Sequence, residues 1–581
     1  MIQQPPLPDW LVSVHHDGSA KYVSTPQPQL GDTARLRLRL AHDAPVQRVY
    51  LRTFPDGEQA ITPMQRANTQ PPTQWWEVDL PITQPTVHYR FILQADDGVW
   101  FYTAVGPQAH PPLDKTDFRI LANYTGPAWA PTAVFYQIFP DRFHNGDPRT
   151  DPQPADFEFR GRRPQTLPWG APPPADAFNP FTFYGGDLPG VIQKLGYLAD
   201  LGVNAIYLNP IFTAYTNHKY DVADYFHVDP HLGGDAALVA LRQALDARQM
   251  RYLLDIVPNH CGYGHPWFQA AHQDANASEA EFFTFYEHPD SYAQWLMAWT
   301  LPKLNFSSVT LRRLIYEGDD AAFRHWLRPP FAADGWRVDV ANMLGRQGAM
   351  QMNRTLAEGI YQAVKETRPD AYHIGENFFD ATESLQDGGQ WDGVMNYSGF
   401  SHPLLHWLRG LHLGAIGLAE PIVTAVPWPT ASLAATWQQY LAAIPWGIAL
   451  QQFNLLGSHD TPRIRTLLGE NDALQRLAVT ALMTFPGVPS IYYGDEIGLT
   501  DTPGLSQRAC MPWDEAAWDQ ELLAFYRQMI HLRRETAVLQ TGGFQILLVE
   551  ADTIAYQREN EHEHALIIAH RGAQPRPASP P

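Results

Sequence analysis

The chain has 581 residues, 45% of them hydrophobic, and sets 41 Lys and Arg against 61 Asp and Glu for a formal net charge of −20. A chain this long buries several cores, and its acidity argues against a nucleic-acid or anionic-membrane partner and for a neutral ligand. Two distant cysteines, Cys261 and Cys510, exclude a disulfide framework; with no basic-then-apolar leader and no long apolar run, the expectation is a cytoplasmic protein without a membrane partner.

Residues 1–127 read as an N-terminal β-sandwich. Apolar and charged residues alternate in Ala34-Arg-Leu-Arg-Leu-Arg-Leu40, further strands fit Val46–Thr53, Trp75–Leu80 and His88–Leu93, and turns fall at Pro55-Asp-Gly57 and Asp96-Asp-Gly98. Glucan binding or dimer contact is the expected role of this module.

From 128 to 535 the pattern changes to alternating strands and helices. Strands are predicted at Val134–Ile138, Ala205–Leu208, Tyr252–Val257, Trp336–Val340, Tyr372–Glu376, Gly393–Asn396, Gln452–Leu456 and Ser490–Tyr493. A helix follows Asp187, its predicted N-cap, and stops at Gly202; another is expected over Met350–Lys365. Eight such units predict a (β/α)8 TIM barrel, with a lid or small subdomain at 261–307 after the third strand. Strands at Phe544–Val549, Thr553–Gln557 and Ala565–Ala569 make a short C-terminal β-domain over 536–581, ending in a tail that reads as disordered. The fold class is therefore α/β, a barrel with a smaller β-domain at each end.

Barrel chemistry sits at the C-terminal strand ends. There, Gly335-Trp-Arg-Val-Asp-Val340 delivers Asp339, and Tyr372-His-Ile-Gly-Glu-Asn377 delivers Glu376. A lone acid after a strand is ordinarily a helix cap or a solvated charge. Arg337 alternates with Asp339, however, so both point into the barrel, where an unpaired charge is costly. Asp255-Ile-Val-Pro-Asn-His260, Leu456-Gly-Ser-His-Asp-Thr461 and Asn217-His-Lys-Tyr-Asp221 fall at neighbouring strand ends. Two acids at one rim suit glycoside hydrolysis, which uses one carboxylate as nucleophile and another as proton donor.

These four segments, DIVPNH, GWRVDV, HIGEN and GSHDT, in this order on an eight-unit pattern, resemble the signature of the α-amylase family of glycoside hydrolases. Leu301-Pro-Lys-Leu-Asn305 resembles the extra segment of the neopullulanase, cyclomaltodextrinase and maltogenic-amylase branch. Phe135–Phe143, Tyr207–Phe212, Arg324–Leu327 and Lys365–Tyr372 resemble maltodextrin glucosidases, and Asn377-Phe-Phe replaces the Ile-Trp-His usual in cyclomaltodextrinases. The resemblance implies retaining hydrolysis of α-1,4 bonds in maltodextrins. A neopullulanase or cyclomaltodextrinase with transglycosylation is the alternative, and a barrel that only binds glucan the remote one. It implies Asp339 as nucleophile, Glu376 as general acid and base, and Asp460 as a clamp on sugar hydroxyls. Arg337 would keep Asp339 ionised, His260 and His459 would bind the sugar, and Tyr220 would stack beneath it. No cofactor is needed for the chemistry. Asn145, Asp147, Asp151, Gly185 and Asp187 resemble the branch's structural calcium site, with Thr150 where an amide is usual, and a homodimer through the N-terminal domain is implied.

Overall fold

The computed structural model describes residues 7–67, 71–124, 126–174, 179–410 and 426–573. The sequence-predicted tail falls largely at 574–581, outside the described residues.

Eight parallel strands form the barrel: β1 Phe135–Ile138, β2 Ala205–Leu208, β3 Arg251–Ile256, β4 Gly335–Val338, β5 Tyr372–Gly375, β6 Gly393–Val394, β7 Phe453–Leu455 and β8 Val488–Tyr492. They pair in the order β6-β5-β4-β3-β2-β1-β8-β7, and a parallel bridge between Met395 and Phe453 brings β6 against β7. Inward-facing Phe135, Tyr207, Leu253, Tyr372, Ile374, Met395, Phe453 and Leu455 fill the interior, so the barrel is packed below its rim.

The helices follow from local chemistry. Helix α1 (Leu188–Leu201) starts where the Asp187 side chain accepts the Gly190 N–H, and ends at Gly202, whose φ of 97° suits a residue without a Cβ. Its buried stripe is Leu188, Val191, Leu195, Leu198 and Leu201. Helix α2 (Asn353–Thr367) begins three residues later than expected, because Met350 and Gln351 pair with Arg346 and Gln347 in a small hairpin.

Between β3 and β4 the chain makes a long excursion, with a helix at Pro266–Gln273 and a hairpin of Gln294–Trp295 against Ala298–Pro302. Its return strand zips onto the end of β3: Lys303 bridges His260, and the Leu304 N–H donates to the Asn259 carbonyl at 3.1 Å.

In the N-terminal region, strand Thr33–Ala41 buries Leu36, Leu38 and Leu40 and turns Arg35, Arg37 and Arg39 outward, as the alternation dictates. Three antiparallel strands, Gly543–Val549, Thr553–Glu559 and His564–His570, form the C-terminal sheet. The two terminal regions meet at Glu559, which accepts hydrogen bonds from Lys21 (2.6 Å), Tyr22 (2.7 Å) and Arg39 (2.8 Å). Among the described residues no helix is long and apolar enough to cross a membrane.

Candidate active site

Asp255 on β3 and Arg337 on β4 are direct cross-strand neighbours, and the alternation of β4 turns Arg337 and Asp339 to the same inner side. Asp339 stands one residue past β4 and Glu376 one past β5. Both backbones are held by the ladder: the Asp339 N–H donates to the Ile256 carbonyl and the Glu376 N–H to the Val338 carbonyl, each at 2.9 Å. Arg337 is completely buried. Its Nη1 donates to Asp339 Oδ1 at 2.8 Å and to both oxygens of Asp255 at 2.9 and 3.0 Å, and its Nη2 lies 2.6 Å from Glu376 Oε1. The hydroxyls of Tyr207 (2.6 Å) and Tyr220 (2.9 Å) donate to Asp255.

One guanidinium thus faces three carboxylates. Three buried anions around one cation cannot all stay ionised, so the cluster retains a proton near neutrality. Burial pushes Glu376 up to about 7, opposed by Arg337 and reinforced by Asp460. Burial, with the Glu376 charge beside it, raises Asp339 as well, and Asp255 is raised by burial. Arg337 does lower Asp339, but its single charge is shared among three acids in a dry site, and burial outweighs it. The acids titrate as a group.

The second wall comes from the loop after β7. Amide groups of Gln137 (2.9 Å) and Asn209 (3.0 Å) donate to His459 Nδ1, which leaves the proton on Nε2 to donate to the Tyr220 hydroxyl at 2.7 Å. Burial and the nearby charges of Arg508 and Arg337 hold His459 far below its ordinary value, so the ring is neutral. Its plane lies parallel to that of Tyr220, centroids 5.3 Å apart. Asp460, adjacent to His459, accepts from Arg508 at 3.1 Å, and Arg508 also donates to the His459 carbonyl at 2.9 Å. His260 is buried, held by burial at about 3, bonded to the Tyr220 backbone and stacked on Trp295 at 5.5 Å.

The structure therefore gathers Asp339, Glu376, Asp460, Arg337, Tyr220, His459 and His260 at one rim. Of the segment after β2, Tyr220 joins them, with the His218 ring stacked on it at 5.9 Å. Lys219 forms a buried ion pair with Asp229 at 2.7 Å, Asp221 accepts from Thr216, and Asn217 donates to the Thr182 carbonyl at 2.8 Å. Five residues join that sequence reasoning did not assign to the site: Asp255, Tyr207, Gln137, Asn209 and Arg508. The first four had a signal, a polar group inside or at the tip of an apolar strand, on the inward register. Arg508 arrives from a loop far along the chain and had none.

The five expected metal ligands also converge. Asn145 Nδ2 donates to Asp151 Oδ1 at 2.8 Å, and a Cβ on Gly185 (φ +77°) would collide with both side chains. Asp187 is already saturated by the N–H groups of Gly190 (2.6 Å), Gly146 (3.0 Å) and Asp147 (2.8 Å), and Asp147 is held by Arg149 at 2.6 Å. Asn145 Oδ1 is buried without a hydrogen-bond partner. Among the described residues no three His, Cys, Asp or Glu side chains are grouped to hold a metal ion.

The family model described as "Alpha amylase, catalytic domain" matches residues 137–528. The chain belongs to the α-amylase family. A cyclomaltodextrinase of Geobacillus thermopakistaniensis is 33% identical over 525 residues, covering 88% of this chain and 82% of the relative. Neopullulanase 2 of Thermoactinomyces vulgaris is 33% identical over 465 residues, 77% of this chain and 71% of its own. The solved structure of a cyclomaltodextrinase superposes with a TM-score of 0.71 at 31% identity, covering 96% of this chain and 91% of that one. The α-amylase-family chain is thus a glycoside hydrolase of the cyclomaltodextrinase and neopullulanase type. The alternative raised from the sequence fits these relatives better than the maltodextrin-glucosidase reading.

Proposed function

We propose that this enzyme hydrolyses α-1,4-glucosidic bonds of maltodextrins and cyclic maltodextrins with retention, through a covalent glycosyl-enzyme. The observation that carries the reading is the Arg337 junction, where Asp339 and Glu376 meet one buried cation. Arg337 holds Asp339 Oδ1, and Oδ2 attacks the anomeric carbon as the glycosidic C–O bond breaks. Glu376 gives its proton to the departing oxygen, so charge moves from Asp339 to Glu376 without a net change in the cluster. Water then displaces Asp339, with Glu376 taking back the proton. Asp460, held by Arg508, receives sugar hydroxyls; neutral His260, whose Nε2 has no hydrogen-bond partner among the described residues, offers a hydrogen bond without adding charge to the oxocarbenium-like ring, and neutral His459 fixes the Tyr220 hydroxyl beside it. The name of the cyclomaltodextrinase relatives supports a cyclic substrate, and a further relative, 31% identical over 516 residues and named maltogenic α-amylase, supports maltose as product.

The test is product analysis on maltotriose, maltoheptaose and γ-cyclodextrin, with Glu376→Gln as control. Fast ring opening and accumulating maltose are expected. The control should lose about 10²–10⁴-fold in rate, the usual range for a general acid. Early glucose from linear substrates, with the ring untouched, would return the assignment to a maltodextrin glucosidase.

We also propose a structural calcium ion held by Asn145 Oδ1 and Asp151 against Gly185. The orphaned amide oxygen and the hard-oxygen character of the set fit that ion. Asp147 and Asp187 serve by orienting the loop. The ion would stiffen the loop without entering the reaction.

A further inference from the structure

Val340 directly follows Asp339 and has a φ of +47°, the left-handed region that a β-branched side chain ordinarily avoids. Up to that point β4 and β5 pair in register, with Val338 opposite Gly375. At Val340 the ladder stops and the peptide turns inward. Its N–H, instead of meeting a neighbouring strand, donates to Glu376 Oε2 at 2.7 Å. The turn is fixed from both sides: the Asp339 N–H is tied to Ile256, and the Val340 carbonyl accepts the Met343 N–H, both at 2.9 Å. Val340 itself is buried.

We infer that Val340 is a positioning residue for the acid step: its strained peptide fixes Glu376 relative to Asp339 through one hydrogen bond from the peptide that joins the nucleophile to Val340. This rests on the assignment of Asp339 and Glu376 given above. Two consequences follow from the chemistry of the bond. The N–H stabilises the carboxylate form of Glu376 and so opposes burial, keeping the acid able to release its proton. It also immobilises a side chain whose other oxygen lies 2.6 Å from Arg337 Nη2, so the carboxyl is held from two sides as it meets the departing oxygen. A side chain cannot do this as firmly, because a backbone amide has no rotamers to populate.

The decisive experiment removes the N–H alone, by replacing Val340 with its α-hydroxy acid so that an ester stands in place of the amide. Rates are compared from pH 5 to 8 on maltotriose and on p-nitrophenyl α-maltoside, whose phenolate departs without a proton. The ester should shift the alkaline limb of kcat/KM upward by about one pH unit and slow maltotriose about tenfold relative to the aryl maltoside, the size of one hydrogen bond to a charged group. Val340→Gly keeps the N–H and tolerates positive φ, so its alkaline limb should stay at the wild-type position. An ester that slows both substrates equally, with the pH limb unmoved, overturns the inference, as does a glycine variant that reproduces the ester's shift.

Should the ester protein not fold, amide hydrogen exchange decides. The Val340 N–H should be protected in the wild type and lose at least tenfold protection in Glu376→Ala; equal protection in both would show that no such bond forms. Failure of the underlying assignment looks different: Asp339→Asn and Glu376→Gln would then remain active.

Discussion

Strand β4 carries an arginine–aspartate cluster at each end, and the two are built in opposite proportions. At its start, buried Asp334 accepts from Arg242 (2.6 Å), Arg251 (2.8 Å) and Arg368 (2.6 Å). Asp246 pairs with Arg242 and Asp370 with Arg251 and Arg368, so three arginines meet three acids. At its end, Arg337 alone meets Asp255, Asp339 and Glu376. The matched cluster has its charges cancelled and serves the fold. The mismatched one must hold a proton, and that stored proton is what an acid catalyst needs. Four residues separate Asp334 from Asp339; the ratio of charges, rather than the residue types, separates structure from chemistry.

The largest effect in stability should come from unbalancing the matched end. Asp334→Asn keeps the shape but leaves three arginines without their shared anion, two of them mostly buried. A loss of about 3–5 kcal/mol is expected, read as a lowered midpoint in urea unfolding, because breaking a buried pair strands its partners. The kcat of the protein that remains folded should not change. A variant with normal stability but impaired turnover would mean that the lower cluster takes part in the reaction.

At the mismatched end the sign should reverse, and it should depend on pH. Glu376 ordinarily titrates at 4.5 and is raised to about 7 in the fold. Between those values the folded protein keeps a proton that the unfolded chain has released, so stability falls as pH rises through the window and stays low above it. Glu376→Gln has no proton to lose. Calorimetry should therefore find the variant melting higher than wild type at pH 8 and nearly equal to it at pH 4. A difference that stays flat across this range would place the stored proton elsewhere.

The eight strands and the rim acids were legible because both obey short-range rules. Apolar runs of strand length recur with helices between them, and a polar residue in such a run, such as Gln137 in β1 or Asp255 in β3, stands out by its register. What was not legible depends on distance along the chain. Arg508 reaches Asp460 from 48 residues away. The depth of burial that raises Asp339 instead of lowering it is a property of the closed barrel, not of the GWRVDV segment. The start of α2 was misplaced for a local reason: the hairpin of Arg346–Gln347 with Met350–Gln351 uses residues that would also suit a helix. Hydrophobic spacing could not separate a two-residue pairing from a first helical turn.

The smallest effect lies at a third acidic cluster, around Asn145, which tests whether the charge-ratio rule extends beyond β4. Burial and the charges of Asp187, Asp141 and Asp147 all push Asp151 upward, while the one side-chain bond opposing them is a neutral amide from Asn145. Like the acids proposed for catalysis, Asp151 lacks a cation of its own, but it lies nearer the surface, where the excess charge is met by a bound ion more readily than by a proton. Millimolar calcium should then raise the melting temperature by a few degrees, corresponding to about 1–3 kcal/mol of linkage, and a chelator should reverse it. Asn145→Ala removes the orphaned oxygen and should abolish the response while leaving kcat intact. If calcium does nothing to the wild type, the hydrogen bonds to Asp187 and Asp147 already close the loop. The unmatched acids at the end of β4 would then owe their stored proton to depth as much as to charge ratio.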